Sequence, residues 1–392
     1  MPTVISNELR AVRTRIFEDI ASLPAVEWQA LELGGYPFLR LEFLRALEQS
    51  GCIGADSGWT VHFVALEDER GLLAVAPSWL KRHSYGEFVF DFAWAQAYSR
   101  HGLRYYPKLV AAAPFTPATG PRLLQRRNEG GSELAGKLLQ ELGAAADRLG
   151  LETAHLLFAD ADDLTVIAQN PDWLLRTDCQ FHWVNRGYAS FDDFLQSFTA
   201  EKRKKAKRER RRVQEAGIHF ETRFGREASE AEILRAWQLH RTTFLQRGNE
   251  PYLNLQAFHL LARDMGDSLM FKFAIADGEI VAVAVFFVGG ETLYGRYWGS
   301  ADSYHSLHFE TCYHQGIEFC IAHGLQRFEP GTQGEHKVSR GFAPTYTHSA
   351  HRIVQPQFRA AIADYLARER VAVERYAEGI AEHVPYKELL DT

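Results

Sequence analysis

The sequence predicts a mixed α/β protein of two lobes, each a central mixed sheet flanked by helices. Three observations carry this reading. A chain of 392 residues exceeds the ~250 to 300 at which one hydrophobic core stops growing, so it divides. With 46% hydrophobic and 24% charged residues, its composition is that of a globular protein. Short β-rich runs and stretches of helical period then follow one another twice in a similar order, with a join near residue 186.

In the first half, 25–32 and 38–49 read as helices, and 61–66, 72–80 and 87–90 as three strands, with turn chemistry at 67–71. A helix at 91–100, a strand at 105–110, a helix at 133–149 and a strand at 153–158 complete the first lobe (1–185). The second lobe (186–392) begins with a helical stretch (190–216), then a strand at 218–224 and helices at 230–245 and 255–265. A meander of 271–276, 280–288 and 292–298 comes next, its first turn marked by Asp277-Gly278. A helix at 307–322 closes at Gly324 and leads to a strand at 325–328. A charged helix at 357–380 is expected to pack across this lobe as a tail.

The longest apolar run, 280–288, is about half the ~20 residues that span a bilayer, and the N-terminal stretch has no apolar signal core. A cytoplasmic protein without an integral membrane segment is expected. The four cysteines are scattered; Cys312 and Cys320 are eight positions apart on a predicted helix, about 12 Å, too far for a disulfide. No CxxC pair or HExxH spacing points to a metal, and no tightly bound cofactor is implied.

Net charge is −6, which excludes a basic protein of nucleic-acid-binding type, but 202–212 (KRKKAKRERRR) holds nine cations and one Glu. Ser190 is a plausible N-cap, and Phe191, Phe194, Leu195 and Phe198 at helical spacing anchor the start of this helix. The basic length itself is expected to stand in solvent. Lys202, Lys204, Lys205, Arg208 and Arg211 are then candidates for binding a polyanion such as tRNA, and a plain solvated helix is the alternative.

Three segments carry candidate chemistry. In PGTQGEHKVSRGF (330–342), Gly331 and Gly334 permit tight turns, and a short helix from Glu335 would gather His336, Lys337 and Arg340 on one face to bind a phosphate or carboxylate. Glu335 is the candidate base for an attacking amine. In LHFE (307–310), His308 and Glu310 occupy the first turn of a helix, as catalytic groups or as a core histidine and a helix-start carboxylate. In LKRHSYGEFVFD (80–91), a strand from Tyr85 would place Tyr85, Glu87 and Asp91 on one face near Lys81 and His83. Tyr105, Tyr106 and Lys108, with the proline-stiffened loop 114–122, would form the facing wall of a substrate cleft; an ordinary sheet edge is the alternative.

The blocks PFLRLEFLRALEQSG (37–51), PSWLKRHSYGEFVFDFAWAQAY (77–98), YYPKLVAAAPFTPATGPRLL (105–124), LHFETCYHQGIEF (307–319) and 330–351 are similar to those of FemAB-like N-acyltransferases. The element order resembles tandem GNAT lobes. This resemblance implies transfer of an acyl or aminoacyl group from acyl-CoA or an aminoacyl-tRNA to an amine acceptor such as a cell-wall precursor. One departure stands out: GSADSYHSLHFE (299–310) lacks the Gln/Arg-x-x-Gly-x-Gly/Ala turn with which GNAT enzymes hold a pyrophosphate. Without a GxSxG elbow or Ser-His-Asp set, direct attack is expected rather than a covalent intermediate. A non-catalytic protein that uses the same two lobes to recognise RNA or a cell-wall precursor is the second reading.

Overall fold

In the computed structural model, which describes residues 12–301, 304–332 and 334–387, one sheet of eleven strands runs through both halves of the chain. From one edge its strands are His219–Phe224, Leu269–Ala276, Glu279–Gly289, Thr292–Ser300, Arg327–Glu329, Trp173–Val184, Ala343–Ile353, Thr153–Ala159, Lys108–Ala111, Ser78–Lys81 and Trp59–Val61. A smaller sheet joins Arg13–Phe17, Phe63–Asp68, Gly71–Ala76 and Leu124–Gln125. The fold is α/β, with GNAT-like strand order in the second half: four antiparallel strands, a helix, and a fifth strand parallel to the fourth.

The halves are interleaved at the centre. Ala343–Ile353 pairs with Trp173–Val184 over ten residues, from Ala343↔His182 to Arg352↔Trp173, and on its other edge with Thr153–Ala159. Trp173–Val184 in turn continues to Arg327–Glu329. A late strand therefore sits between two early ones, and the sheet crosses residue 186 without a break. The helix Pro356–Ala381 lies over these two central strands, where Arg176 and Glu369 form an ion pair at 2.7 Å.

Several boundaries differ from expectation for local reasons. The apolar run 72–80 is two strands in different sheets, Gly71–Ala76 and Ser78–Lys81, because Pro77 has no N–H with which to continue a ladder. The run 61–66 divides similarly at His62, between Trp59–Val61 and Phe63–Asp68. Residues 87–90 form no strand; Gly86 and Phe88 have φ of 81° and 61°, and the segment is an irregular loop. The helix expected at 307–322 is helical but contains a π-type turn over Glu310–His314.

Two apolar layers cover the second-half sheet. Val285, Phe287 and Tyr294 face the helices Glu230–Leu245 and Leu255–Met265 and meet Phe38 and Trp28 from the first half in one core. Phe286, Leu293 and Phe328 face the opposite way, against Phe194, Ile317 and Trp183. Where the first core joins the two halves, backbones come together at Gly35 and Gly289. A Cβ on Gly289 would lie 2.3 Å from the Gly35 carbonyl and 2.6 Å from the Pro37 ring. Gly289→Ala should therefore destabilise the fold by about 1–3 kcal/mol, as overpacking does. Urea denaturation followed by tryptophan fluorescence measures this, and an unchanged midpoint would contradict the close approach.

Candidate active site

The strands Thr292–Ser300 and Arg327–Glu329 pair for three residues, Thr292↔Arg327 to Tyr294↔Glu329, and then separate. Gly295 and Gly331, one and two positions further on, line the gap. A cleft of about 390 Å³ passes through this split. Side chains from both sheet faces reach it, Val285 and Tyr297 from one, Phe286 and Trp298 from the other.

Three cations line the cleft, Arg247, Arg296 and Lys337, together with His308 and His336; the described lining residues include no carboxylate. Arg296 sits at a β-bulge, since Val285 pairs with Tyr297 but Phe286 with Gly295, and the extra residue is re-aimed. Its guanidinium donates to the Phe115 carbonyl and stacks on Tyr297 and Phe88, which ties the cleft to the first half. Lys337 is 1% exposed and donates to the Gly331 carbonyl. Burial with no carboxylate partner lowers its ammonium to about 7. His308 is lowered to about 4 by burial, then by the neighbouring charges of His336, Arg340 and Lys337, so it is neutral at pH 7. The His308 and His336 rings lie 5.9 Å apart, and His336 Nε2 is 2.8 Å from the Tyr313 hydroxyl.

The LHFE and GEHKVSR segments thus meet at one cavity, but only part of each faces it. On a helix His308 and Cys312 share a face, and both line the cleft. Glu310 points to the other side. There it accepts from His314 at 2.9 Å and Gln315 at 2.8 Å and pairs with Arg210 at 3.1 Å. Burial opposes its ionisation, but these partners outweigh it and keep the carboxyl low. Glu335 is exposed, accepts from the Tyr376 hydroxyl of the C-terminal helix at 2.9 Å, and is not among the residues that line the cleft. Arg340 is buried, 2.8 Å from Glu209 and stacked over Phe309, so it clasps the turn rather than waiting for a ligand.

The first-half candidates do not form a cleft wall. Lys108 is fully buried and bonds Glu87 at 2.7 Å, Ser84 at 2.8 Å and Asp91, which also accepts from the Tyr105 hydroxyl at 2.6 Å. Tyr106 meets Ser84 at 2.7 Å. Burial raises Glu87 to about 7, whereas Lys108 overcomes the same burial at Asp91 and holds it at about 2. Lys81 lies 3.7 Å over the Trp59 ring and donates to the Tyr85 carbonyl; burial lowers it to about 7. His83 donates to the Ser57 carbonyl at 2.9 Å, and Tyr85 is largely exposed. What this loop offers the cleft is the aromatic ring of Phe88.

The basic helix, Ala200–Glu215, is not held off in solvent. Ala206, Glu209 and Val213 are buried, and Arg210 reaches Glu310 and Glu318, so the helix packs behind the cleft-lining helix. Arg203, Lys204, Lys207, Arg208 and Arg211 line a groove on its outer side, while Lys202 and Lys205 fall outside that groove. Lys207 and Arg211 are partly offset by Asp192 and Glu215. Arg247 and Arg296 escaped sequence reasoning; for Arg296 a lone Arg inside the strand LYGRYW was the available signal.

Fold and cleft together define a mixed α/β protein whose continuous central sheet splits after a short parallel strand pair. The chain belongs to the FemAB-like family, described as peptidoglycan biosynthesis/recognition, whose profile matches residues 19–388. No curated protein matches it. Among solved structures it is similar to the C-terminal domain of a putative lysylphosphatidylglycerol synthetase from Agrobacterium fabrum, at 13% identity and TM-score 0.53, covering 88% of this chain and 94% of that one. A crystal structure of FemX is similar at 10% identity and TM-score 0.50, with 81% and 92% covered. A protein of unknown function from Bacteroides thetaiotaomicron matches at 10% identity and TM-score 0.51, with 88% and 100% covered. No described helix is long and apolar enough to cross a membrane.

Lys108 and Glu335 separate core chemistry from surface chemistry. Lys108→Met, which leaves two buried carboxyls without their cation, should cost about 3–5 kcal/mol, and Glu335→Gln should stay within about 0.5 kcal/mol of wild type. Paired urea titrations check the contrast, which a similar loss in both variants would refute.

Proposed function

We propose that the protein transfers an acyl or aminoacyl group from an anionic carrier to an amine, by direct attack within the cleft of the split sheet. The carrying observation is the cleft itself: Arg247, Arg296 and Lys337 converge where the strands part, with neutral His308 beside them and no carboxylate among the described lining residues. Membership of a peptidoglycan biosynthesis/recognition family supports a cell-wall precursor as the amine acceptor.

Each group has a part. Arg247 at the rim and Arg296 at the bulge pair with carrier phosphates. The Lys337 ammonium stabilises the oxyanion that develops when nitrogen attacks the carbonyl, in a site where burial strengthens the interaction. His308, neutral at pH 7, takes a proton from the attacking nitrogen and returns it to the departing carrier. The outer groove of the basic helix favours a polyanionic carrier, aminoacyl-tRNA, over acyl-CoA. Among the described residues of the 299–310 segment, the helix start at Leu307 follows Ser306 in a left-handed conformation with φ of 67°; residues 302–303 lie outside the described residues.

Lys337→Met is expected to lower kcat by about 10² to 10³, as loss of an oxyanion donor does. Because the ammonium form is required and titrates at about 7, kcat/KM falls as pH rises through that value. Lys337→Arg, charged throughout, should shift that limb upward. Rates measured from pH 5.5 to 9 on charged tRNA and acyl-CoA series decide it, and an identical limb in Lys337→Arg would assign it elsewhere. Replacing Lys204, Lys205, Arg208 and Arg211 by Gln should flatten the salt dependence of tRNA affinity, and an unchanged slope would leave the carrier unsupported.

A further inference from the structure

The loop and helix start that follow the strand Ser78–Lys81 expose three large aromatic side chains, Tyr85, Phe90 and Phe92, at 62%, 61% and 45%. They form a row. The Tyr85 and Phe92 ring centroids are 5.9 Å apart, Phe92 and Phe90 are stacked at 6.2 Å, and His83 extends the row at 5.5 Å from Tyr85. Single exposed apolar residues are ordinary, whereas a contiguous row marks a contact surface.

This row is held from beneath. Lys108 is fully buried and pairs with Glu87 at 2.7 Å and with Asp91, which pins the backbone on both sides of Phe88 and Phe90 to the strand Lys108–Ala111. Arg176 donates to the Phe90 carbonyl at 3.0 Å. Rings presented by a fixed backbone lose little freedom on contact. The same pairing sorts the charges. Glu87 and Asp91 are the only acids between residues 82 and 104, and both are buried against Lys108. The cations of this stretch, Arg82, Arg100 and Arg104, are exposed, and none of them forms an ion pair among the described residues. Glu369 of the C-terminal helix, which Arg176 links to this region, is taken up by that guanidinium at 2.7 and 2.8 Å. In a chain of net charge −6, this face is aromatic and positive.

We propose that this face docks on the surface of an anionic phospholipid bilayer, with Tyr85, Phe90 and Phe92 entering the headgroup layer and Arg82, Arg100 and Arg104 against lipid phosphates. Aromatic side chains are favoured at the boundary between headgroups and acyl chains, and cations add attraction to an anionic leaflet. A second copy of the chain is a poorer occupant, because a two-fold contact through this face sets like charges against one another. Docking is peripheral, since no described helix is long and apolar enough to cross a membrane. It stands apart from the transfer reading: none of the three rings or three arginines lines the cleft. Phe88 of the same loop does line it, so docking sets the cleft close to the bilayer.

The probes are vesicles of phosphatidylcholine and phosphatidylglycerol in equal parts, and vesicles of phosphatidylcholine alone, sedimented with the full chain at low ionic strength. Binding to the mixed vesicles is expected, and binding about tenfold weaker to phosphatidylcholine. Replacing Tyr85, Phe90 and Phe92 together by Ser should weaken binding to the mixed vesicles about tenfold or more, and replacing Arg82 and Arg104 by Gln about tenfold, with the urea midpoint unmoved in both. The basic helix also attracts an anionic surface, so depth is read beside affinity. Phe90→Trp should be quenched by mixed vesicles with brominated acyl chains more than wild type is, and should remain so when Lys204, Arg208 and Arg211 are changed to Gln. Equal affinity of wild type and the triple Ser variant for the mixed vesicles would overturn the docking face, as would Phe90→Trp quenched no more than wild type. Wild type that fails to bind the mixed vesicles would overturn it too; self-association lost in the triple Ser variant would then assign the face to a second copy, and a wild type that stays monomeric would assign it to a protein partner.

Discussion

The parallel pairing between Thr292–Ser300 and Arg327–Glu329 lasts for three residues, and the cleft exists because it then stops. A continued ladder would bring backbone N–H and C=O groups together and close the sheet. Past Tyr294 and Glu329 the chain has Gly295, the bulged Arg296 and the pair Pro330-Gly331, none of which extends the pairing between these two strands. Proline has no donor, glycine leaves room where a side chain would fill the gap, and the bulge turns a cation inward. Polar backbone left unpaired by such a split has to be satisfied by neighbours, water or substrate.

That opening is held by interactions elsewhere. The interleaved strands Trp173–Val184 and Ala343–Ile353 make both halves one sheet, so the strand at the split is fixed on its far side by the first half of the chain. Behind the cleft, Arg210 bridges Glu310 and Glu318, and Arg340 meets Glu209, tying the basic helix to the two segments that supply His308, His336 and Lys337. Glu310, Arg340 and Glu209 are buried charges that act as positioning groups. The exclusion of the two carboxylates from the cleft is what leaves it cationic.

Much of the fold was legible in the sequence because its signals are local. The meander, the helices of the second half and the 307–322 helix announce themselves by period and by Gly or Asp-Gly stops. The two central strands were not legible. WLLRTDCQFHWV and APTYTHSAHRI mix Thr, His, Arg and Gln with apolar residues and show neither clean alternation nor an apolar run. Their strand character comes from ten residues of mutual pairing between segments far apart in the chain. The site followed the same division. That His308 and the 335–340 turn share a cavity was readable from chemistry, but which side chains face it depends on helical phase and on partners. Hence Glu310 and Glu335, the acids most attractive in sequence, are turned away. The basic helix failed in the opposite sense: its charges concealed a buried stripe of Ala206, Glu209 and Val213 at helical spacing.

Burial and charge in the cleft are linked in a way that bears on the order of events in the proposed reaction. Among the described residues no carboxylate compensates the desolvation of Lys337, so near neutral pH it is divided between ammonium and amine. An anionic carrier entering beside Arg247 and Arg296 adds the missing negative charge and shifts Lys337 toward the ammonium form. Protonation and carrier binding then favour one another, as linkage requires. The oxyanion donor is complete only when the donor substrate is present. An empty cleft, whose lysine is partly neutral and whose histidines are uncharged, holds less unmatched positive charge than the loaded one.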